Sequence, residues 1–89
     1  RFSFFTRLSH VRQRVLVEMA QQTSLQGFIS FENMMKALHR QDFAEAARQM
    51  QHSHWRSRVG QAAAGLCQVM ASGREQDMRE WLETYEQPN

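Results

Sequence analysis

The side chains that most often carry chemistry are few in this chain and do not form a familiar catalytic or metal-binding set. Of the four histidines, His52 and His54 are two residues apart, which places them on different sides of a helix, and His10 and His39 are remote in sequence. Neither a cysteine pair nor a His-x-x-x-His pair, the usual spacings of a zinc site, occurs. The single Cys67 has apolar neighbours, which predicts a buried thiol rather than a nucleophile. We therefore predict no metal site, no cofactor and no cysteine-based catalysis.

Carboxyl groups are the other candidates for chemistry. Hydrolysis of a glycosidic bond needs two of them at a defined separation, one with a raised pKa. Glu18 and Glu32 are the only acids in the first 41 residues, and helical spacing places both on the solvated side of their helices. Asp42 and Glu45 have the spacing of a helix cap. The sequence thus predicts no catalytic residue, and the 89-residue chain alone is expected to be inactive as a hydrolase.

Charge is distributed unevenly along the chain. Residues 1–74 carry ten Lys and Arg against four Asp and Glu, whereas residues 75–89 carry one Arg against five acids. Ten of the eleven bases are arginines, which bind phosphates and carboxylates through paired hydrogen bonds. The pattern leaves open nucleic acid, an anionic cell-wall polymer and the chain's own acidic end as counter-charges, and it also fits a plain solvated helix surface.

Nucleic acid is the least favoured of these partners. Two apolar stripes, at residues 31–38 and 43–50, are joined by a short link as in a helix-turn-helix motif. The link Arg40-Gln41-Asp42 contains no glycine, however, and the second stripe begins among acids. An acidic first turn suits a DNA major groove poorly.

Helical spacing of apolar residues recurs along the whole chain and predicts the elements that would position any site. With one proline and four glycines, the chain has too few turn-forming residues to connect several short strands. No apolar run is long enough to span a membrane. The expected fold class is all-α: a compact orthogonal array of five to seven short helices in one domain, residues 1–89, with residues 1–7 leading into it. The stripes are Leu8, Val11, Val15 and Met19; Phe31, Met34, Met35 and Leu38; Phe43, Ala46, Ala47 and Met50; Ala63, Leu66, Cys67, Val69 and Met70; and Met78, Trp81, Leu82 and Tyr85.

Local signals predict several helix ends. Thr6 or Ser9 would cap the first helix, and Gly73 would end the long one at residues 61–72 in a left-handed conformation. Residues 21–30 are polar and predict a turn or a short, weak helix. Because Trp55 and Trp81 each begin an apolar set, both indoles are expected to be largely buried.

Three stretches carry a resemblance to a known family: FENMMKAL at residues 31–38, DFAEAA at residues 42–47, and SHW at residues 53–55. They resemble the C-terminal lobe of the phage-type lysozymes, the T-even phage glycoside hydrolases of peptidoglycan. In that family a Phe-led helix ending in Leu is followed by an aromatic-x-Glu-Ala-Ala helix, a Ser-x-Trp corner and a long helix that ends at a glycine. The resemblance extends without a gap from Leu8 to Gly73. It implies a lysozyme-like C-terminal lobe.

The resemblance also implies what this chain lacks. The family's catalytic Glu, Asp and Thr belong to a separate N-terminal lobe, and no Glu-x8-Asp-x5-Thr spacing occurs here. The lobe that remains would form one wall of the sugar-binding cleft. By position, the family's substrate contacts would fall on Gln21, Gln22, Met34 and Gln49. Gln22 keeps the family's residue type. Gln21 replaces an aromatic residue, Met34 a serine and Gln49 an asparagine.

Two functions of different class follow. In the first, the chain is the substrate-wall lobe of a phage-type lysozyme or a degenerate relative, and its partner is peptidoglycan or a catalytic lobe. In the second, it is a non-enzymatic interaction module that binds a protein or an anionic polymer. Phe2, Phe4 and Phe5 are expected to cover apolar surface of this domain or of a second copy in a homo-oligomer. The expected location is the cytoplasm of a bacterial or phage-infected cell, with action on the cell wall after export.

Overall fold

The computed structural model describes residues 3–86, and over this part of the chain the protein is helical throughout. A 3-10 helix at Ser3–Arg7 leads into seven α-helices, so the predicted all-α array is confirmed. The central helix is α6, which packs against α1, α4, α5 and α7, while α3 packs against α4. The α-helices are α1 (His10–Gln21), α2 (Leu25–Ile29), α3 (Glu32–His39), α4 (Phe43–Gln51), α5 (His54–Val59), α6 (Gln61–Ser72) and α7 (Glu75–Tyr85).

Helix ends follow the local signals closely. Ser9 rather than Thr6 caps α1, since its hydroxyl accepts the N–H of Arg12 at 3.3 Å. Gly73 ends α6 at a φ of 66°, in the predicted left-handed conformation, and its N–H donates to the Val69 carbonyl at 2.7 Å.

The turn between α3 and α4 closes without a glycine. Gln41 adopts a φ of 60°, in the left-handed region that favours glycine. Asp42 caps α4 by accepting the N–H of Glu45 at 3.2 Å. Only this half of the predicted capping box forms, because the Glu45 carboxylate accepts instead from Arg48 and Gln49.

The core is built from the predicted apolar stripes. Trp55 and Trp81 are 4% and 5% exposed, which confirms the predicted burial of both indoles. Cys67 is buried, and this burial raises the pKa of its thiol to about 11. The Cys67 thiol is therefore unreactive and contributes to the packing of the core, as the sequence indicated.

The prediction that Glu18 is solvated is wrong. Glu18 is 3% exposed, and its Oε2 accepts from Arg14 Nε at 2.7 Å. A second nitrogen of Arg14, Nη2, donates to Glu86 Oε1 at 2.7 Å, which links α1 to the residue that follows α7. Because α7 packs against α1, it covers a side of α1 that spacing alone assigned to solvent. Burial raises the pKa of Glu18, against the opposing hydrogen bond from Arg14.

The aromatic residues at the N-terminus lie mainly against the domain itself. Phe4 is buried in the core, and Phe5 is half-buried against it. The Phe4 ring thus covers apolar surface of this domain. Phe2 lies outside the described residues.

Candidate functional site

The four residues that the resemblance assigns to a cleft occupy different environments. Gln21 is exposed at the end of α1, and Gln22 is half-buried directly after it. Gln49 is half-buried on α4, where its Nε2 donates to Glu45 Oε2 at 2.7 Å. Met34, at 1% exposure, belongs to the core. A side chain so buried presents no surface to a ligand, so Met34 serves packing in this structure.

Gln22 is the one of the four that is held by residues distant in sequence. The Trp55 Nε1–H donates to Gln22 Oε1 at 3.1 Å, which gives the buried indole its polar partner. Arg58 Nη2 donates to the Gln22 backbone carbonyl at 2.8 Å. In the described part of the chain the amide Nε2 of Gln22 has no hydrogen-bond partner, and it remains available as a donor.

Local structure explains why Trp55 and Arg58 reach Gln22. Ser53 caps α5 by accepting the N–H of Arg56 at 3.2 Å, so α5 starts at the Ser-x-Trp corner. The cap places Trp55 in the first turn of the helix and Arg58 three residues further on, on the same face. Both side chains then point back to the end of α1.

A cavity of about 290 Å³ lies beside this arrangement. An edge-to-face pair, with ring centroids 5.8 Å apart, joins Phe31 and Trp55 at its wall. Hydroxyls, an imidazole and a guanidinium supply its polar groups, and no acid is among the residues that line it. The lining residues are Thr23, Gly27, Ser30, Phe31, Ser53, His54, Trp55 and Arg58. The cavity can bind a polar or anionic group, but its own walls offer no general acid.

Two acids of the first half of the chain, Glu18 and Glu45, are engaged elsewhere. Hydrogen bonds from Arg48 and Gln49 lower the pKa of Glu45 to about 2, so this carboxylate is ionised at neutral pH. Glu18 has the raised pKa that a general acid needs, yet it is paired with Arg14 and closed to solvent. Neither carboxyl group is free to protonate a leaving oxygen.

No three His, Cys, Asp or Glu side chains come together as metal ligands anywhere in residues 3–86. His52 Nδ1 contacts the Arg48 carbonyl at 2.8 Å, and His39 Nδ1 lies 3.5 Å from Arg7 Nη2. Within the same residues, every helix is too short or too polar to cross a membrane.

Sequence reasoning missed why α6 has a glycine, Gly65, in the middle of the helix. Trp81 Nε1 donates to the Ala62 carbonyl at 2.8 Å, and this hydrogen bond holds the indole against α6. A Cβ atom at Gly65 would be 2.6 Å from Trp81 Cδ1, closer than real Cβ contacts allow. The absence of a side chain at position 65 is therefore a requirement of α6–α7 packing. The spacing of residues in the sequence does not indicate that Gly65 and Trp81 are in contact.

Comparisons of the chain with models of protein families, with curated proteins and with solved structures found no match. The fold and the Gln22 region therefore define the chain only as a compact all-helical domain with a small polar cavity.

Proposed function

We propose that this chain is the substrate-wall lobe of a phage-type lysozyme or a degenerate relative, and that it contributes to peptidoglycan cleavage only together with a catalytic lobe. The observation that carries the proposal is the positioning of Gln22 by Trp55 and Arg58 beside a polar cavity. Gln22 is also the cleft position at which the chain keeps the family's residue type.

The order and bounds of the helices support the proposal. Phe31 stands at the start of α3, Phe43 begins α4, and Ser53 caps the helix that holds Trp55. The long helix α6 ends at Gly73. These are the features that the family resemblance places in this order.

The proposed role of the lobe is binding rather than bond cleavage. Gln22 Nε2 would donate a hydrogen bond to a sugar or peptide oxygen of peptidoglycan. Arg58 and His54 line the adjacent cavity and would donate hydrogen bonds to the carboxylates of the peptide part of peptidoglycan. The general acid and the group that stabilises the cationic sugar would come from a catalytic lobe.

A titration with a soluble disaccharide-peptide fragment of peptidoglycan tests this role. Binding is expected to shift the Trp55 indole N–H signal in NMR spectra. Gln22→Glu keeps an acceptor for Trp55 but removes the Nε2 donor and adds a negative charge, so affinity should fall by at least about fivefold, equivalent to about 1 kcal/mol. Gln76→Glu, on the exposed side of α7, is the matched control. Equal affinity of the two variants, or no binding at all, would contradict the proposal.

We expect the isolated chain to have no lytic activity, since no acid lies in the cavity wall and Glu18 is closed to solvent. The measurement is a turbidity assay on chloroform-treated Gram-negative cells, run with alanine variants of each Asp and Glu. Lysis that disappears with one particular acid would place a catalytic site in this chain and overturn the expectation.

The alternative, a non-enzymatic interaction module, is favoured by a different observation. Val17, Leu25 and Ile29 are large apolar residues with 42%, 74% and 47% of their surface exposed, all on α1 and α2. Leu25 and Ile29 are four positions apart on one side of α2, and neighbouring exposed apolar residues are typical of a protein contact surface. Failure of the peptidoglycan fragment to bind would favour this second function.

A further inference from the structure

A second cavity of the described chain is separate from the Gln22 region. It is an open groove of about 710 Å³ between the 3-10 helix, α2 and α3, a volume within the range of small-molecule sites. The residues that line it are Phe4, Ile29, Glu32, Met35, Lys36, His39 and Arg40.

Helix α3 provides the length of the groove. Four residues of α3 line it, Glu32, Met35, Lys36 and His39, together with Arg40, which directly follows the helix. They are separated by three, one, three and one positions, which is the spacing of one helix face. The groove therefore runs along α3, and eight helical residues span about 12 Å.

The two ends of the groove differ in chemistry. The carbon-rich side chains Phe4, Ile29 and Met35 form an apolar part, and the Glu32 carboxylate lies at the N-terminal end of α3. Lys36 and Arg40 stand one turn apart at the C-terminal end of α3, where the helix dipole adds negative potential that their charges offset.

The positive end is not neutralised by the protein itself. Lys36 forms no ion pair with any residue in the described part of the chain. Arg40 reaches Asp42 only at 3.9 Å, with both side chains about half exposed, and Arg7 adds a third positive charge through its contact with His39. Such exposed charges are screened by water and remain available to a ligand.

We propose that this groove binds a single-chain amphiphilic anion, a small molecule with a carboxylate head and an alkyl body. The head would pair with Lys36 and Arg40, and the body would cover Phe4, Ile29 and Met35. An extended chain advances about 1.2 Å per bond, so a groove about 12 Å long fits about eight to ten carbons. The proposal is independent of peptidoglycan binding, since the two cavities share no lining residue.

Decanoate, kept below the concentration at which it self-associates, is the probe. Methyl-labelled methionine gives a direct readout, because Met35 lines the groove while the other five methionines are buried in the core. Binding should give a saturable shift of the Met35 methyl signal and leave the core methionines nearly unchanged. Acetate and an uncharged ten-carbon alkyl glycoside should each bind at least tenfold more weakly.

Four variants locate the two ends of the site. Lys36→Gln should weaken decanoate binding about three- to tenfold, and Arg79→Gln, an exposed change on α7, should not. Ile29→Ser should weaken binding by a similar factor through the apolar part, whereas Leu25→Ser, outside the groove, should leave it unchanged. All four positions are exposed, so thermal melting is expected to show folded variants.

The proposal fails if the Met35 signal does not saturate, if all six methionine signals move together, or if the uncharged glycoside binds as well as decanoate. It also fails if Lys36→Gln has no effect. Binding of an acidic amphipathic peptide in the absence of decanoate binding would assign the groove to a protein partner instead.

Discussion

Helices α6 and α2 belong to one small domain but are held in very different ways. Five residues of α6 are buried, and four other helices pack around it. Helix α2 has five residues, none of them buried, and its first residue, Leu25, is 74% exposed. The Ser24 hydroxyl caps α2 by accepting the Gly27 N–H at 3.0 Å.

Arg12 shows how the α6 region is reinforced. Its Nε and Nη2 donate to the carbonyls of Met70 and Ala71, at 2.8 and 3.0 Å, near the end of α6 where carbonyls lack helical partners. Its guanidinium also lies 3.6 Å from the centre of the Phe43 ring. An arginine that spacing would assign to solvent thus joins α1, α4 and α6.

The region that stabilises this domain is therefore distinct from the region that adjoins its candidate binding sites. Gly27 of α2 lines the cavity beside Trp55, and Ile29 lines the groove along α3, so both candidate sites adjoin the helix with the fewest buried contacts. Regions with little buried surface open at low free-energy cost, and binding surfaces are commonly built from them. The α6 region provides the rigid support.

The largest effect is expected at the two indoles of the packed region. Trp55→Ala and Trp81→Ala should each lower the free energy of unfolding by about 3–5 kcal/mol, because each leaves a cavity and removes a buried hydrogen bond. Chemical denaturation followed by circular dichroism measures the loss. A cost below about 1 kcal/mol for either variant would show that the packed region does not hold the fold.

Gly65→Ala should be destabilising by about 1–3 kcal/mol, although alanine favours a helix over glycine by about 1 kcal/mol. The reason is the close approach of the Trp81 ring. A double-mutant cycle with Trp81→Phe sharpens the test, since the smaller ring should relieve much of the cost. Independent, additive effects of the two changes would contradict the packing described.

Glu18→Gln should raise the melting temperature at pH 7, because burial disfavours the ionised carboxyl of Glu18. A raised pKa in the folded state means that Glu18 contributes favourably at low pH and loses this contribution as pH rises through the folded-state pKa. The advantage of Glu18→Gln should therefore shrink as pH falls towards 4. Glu32→Gln, at an exposed position, is the control. A variant that is less stable than the wild type at pH 7 would mean that the Arg14 ion pair outweighs burial.

The smallest effect is expected on α2. Leu25→Ser should change the free energy of unfolding by less than about 0.5 kcal/mol, because its side chain is already in water. Amide hydrogen exchange should also be much faster in α2 than in α6. Protection of α2 equal to that of α6 would remove the contrast between the two regions.

The helices, their apolar faces and most of their ends could be predicted from the sequence. The reason is that these features depend on contacts within one or two turns. The stripe from Ala63 to Met70, the cap at Asp42 and the left-handed Gly73 can all be read locally. The polar segment before α3 predicted a turn or a short, weak helix, and the structure has the five-residue helix α2 there.

Which polar residues are buried in the core, and which residues distant in sequence are in contact, depends on the tertiary structure. Glu18 is buried because α7 covers α1, and Gln22 meets Trp55 across 33 positions of the chain. The close fit of Gly65 to Trp81 depends in the same way on how α6 and α7 cross. Helical periodicity assigns a residue to a face, but what covers that face is set by the packing of helices remote in sequence, and no local pattern encodes it.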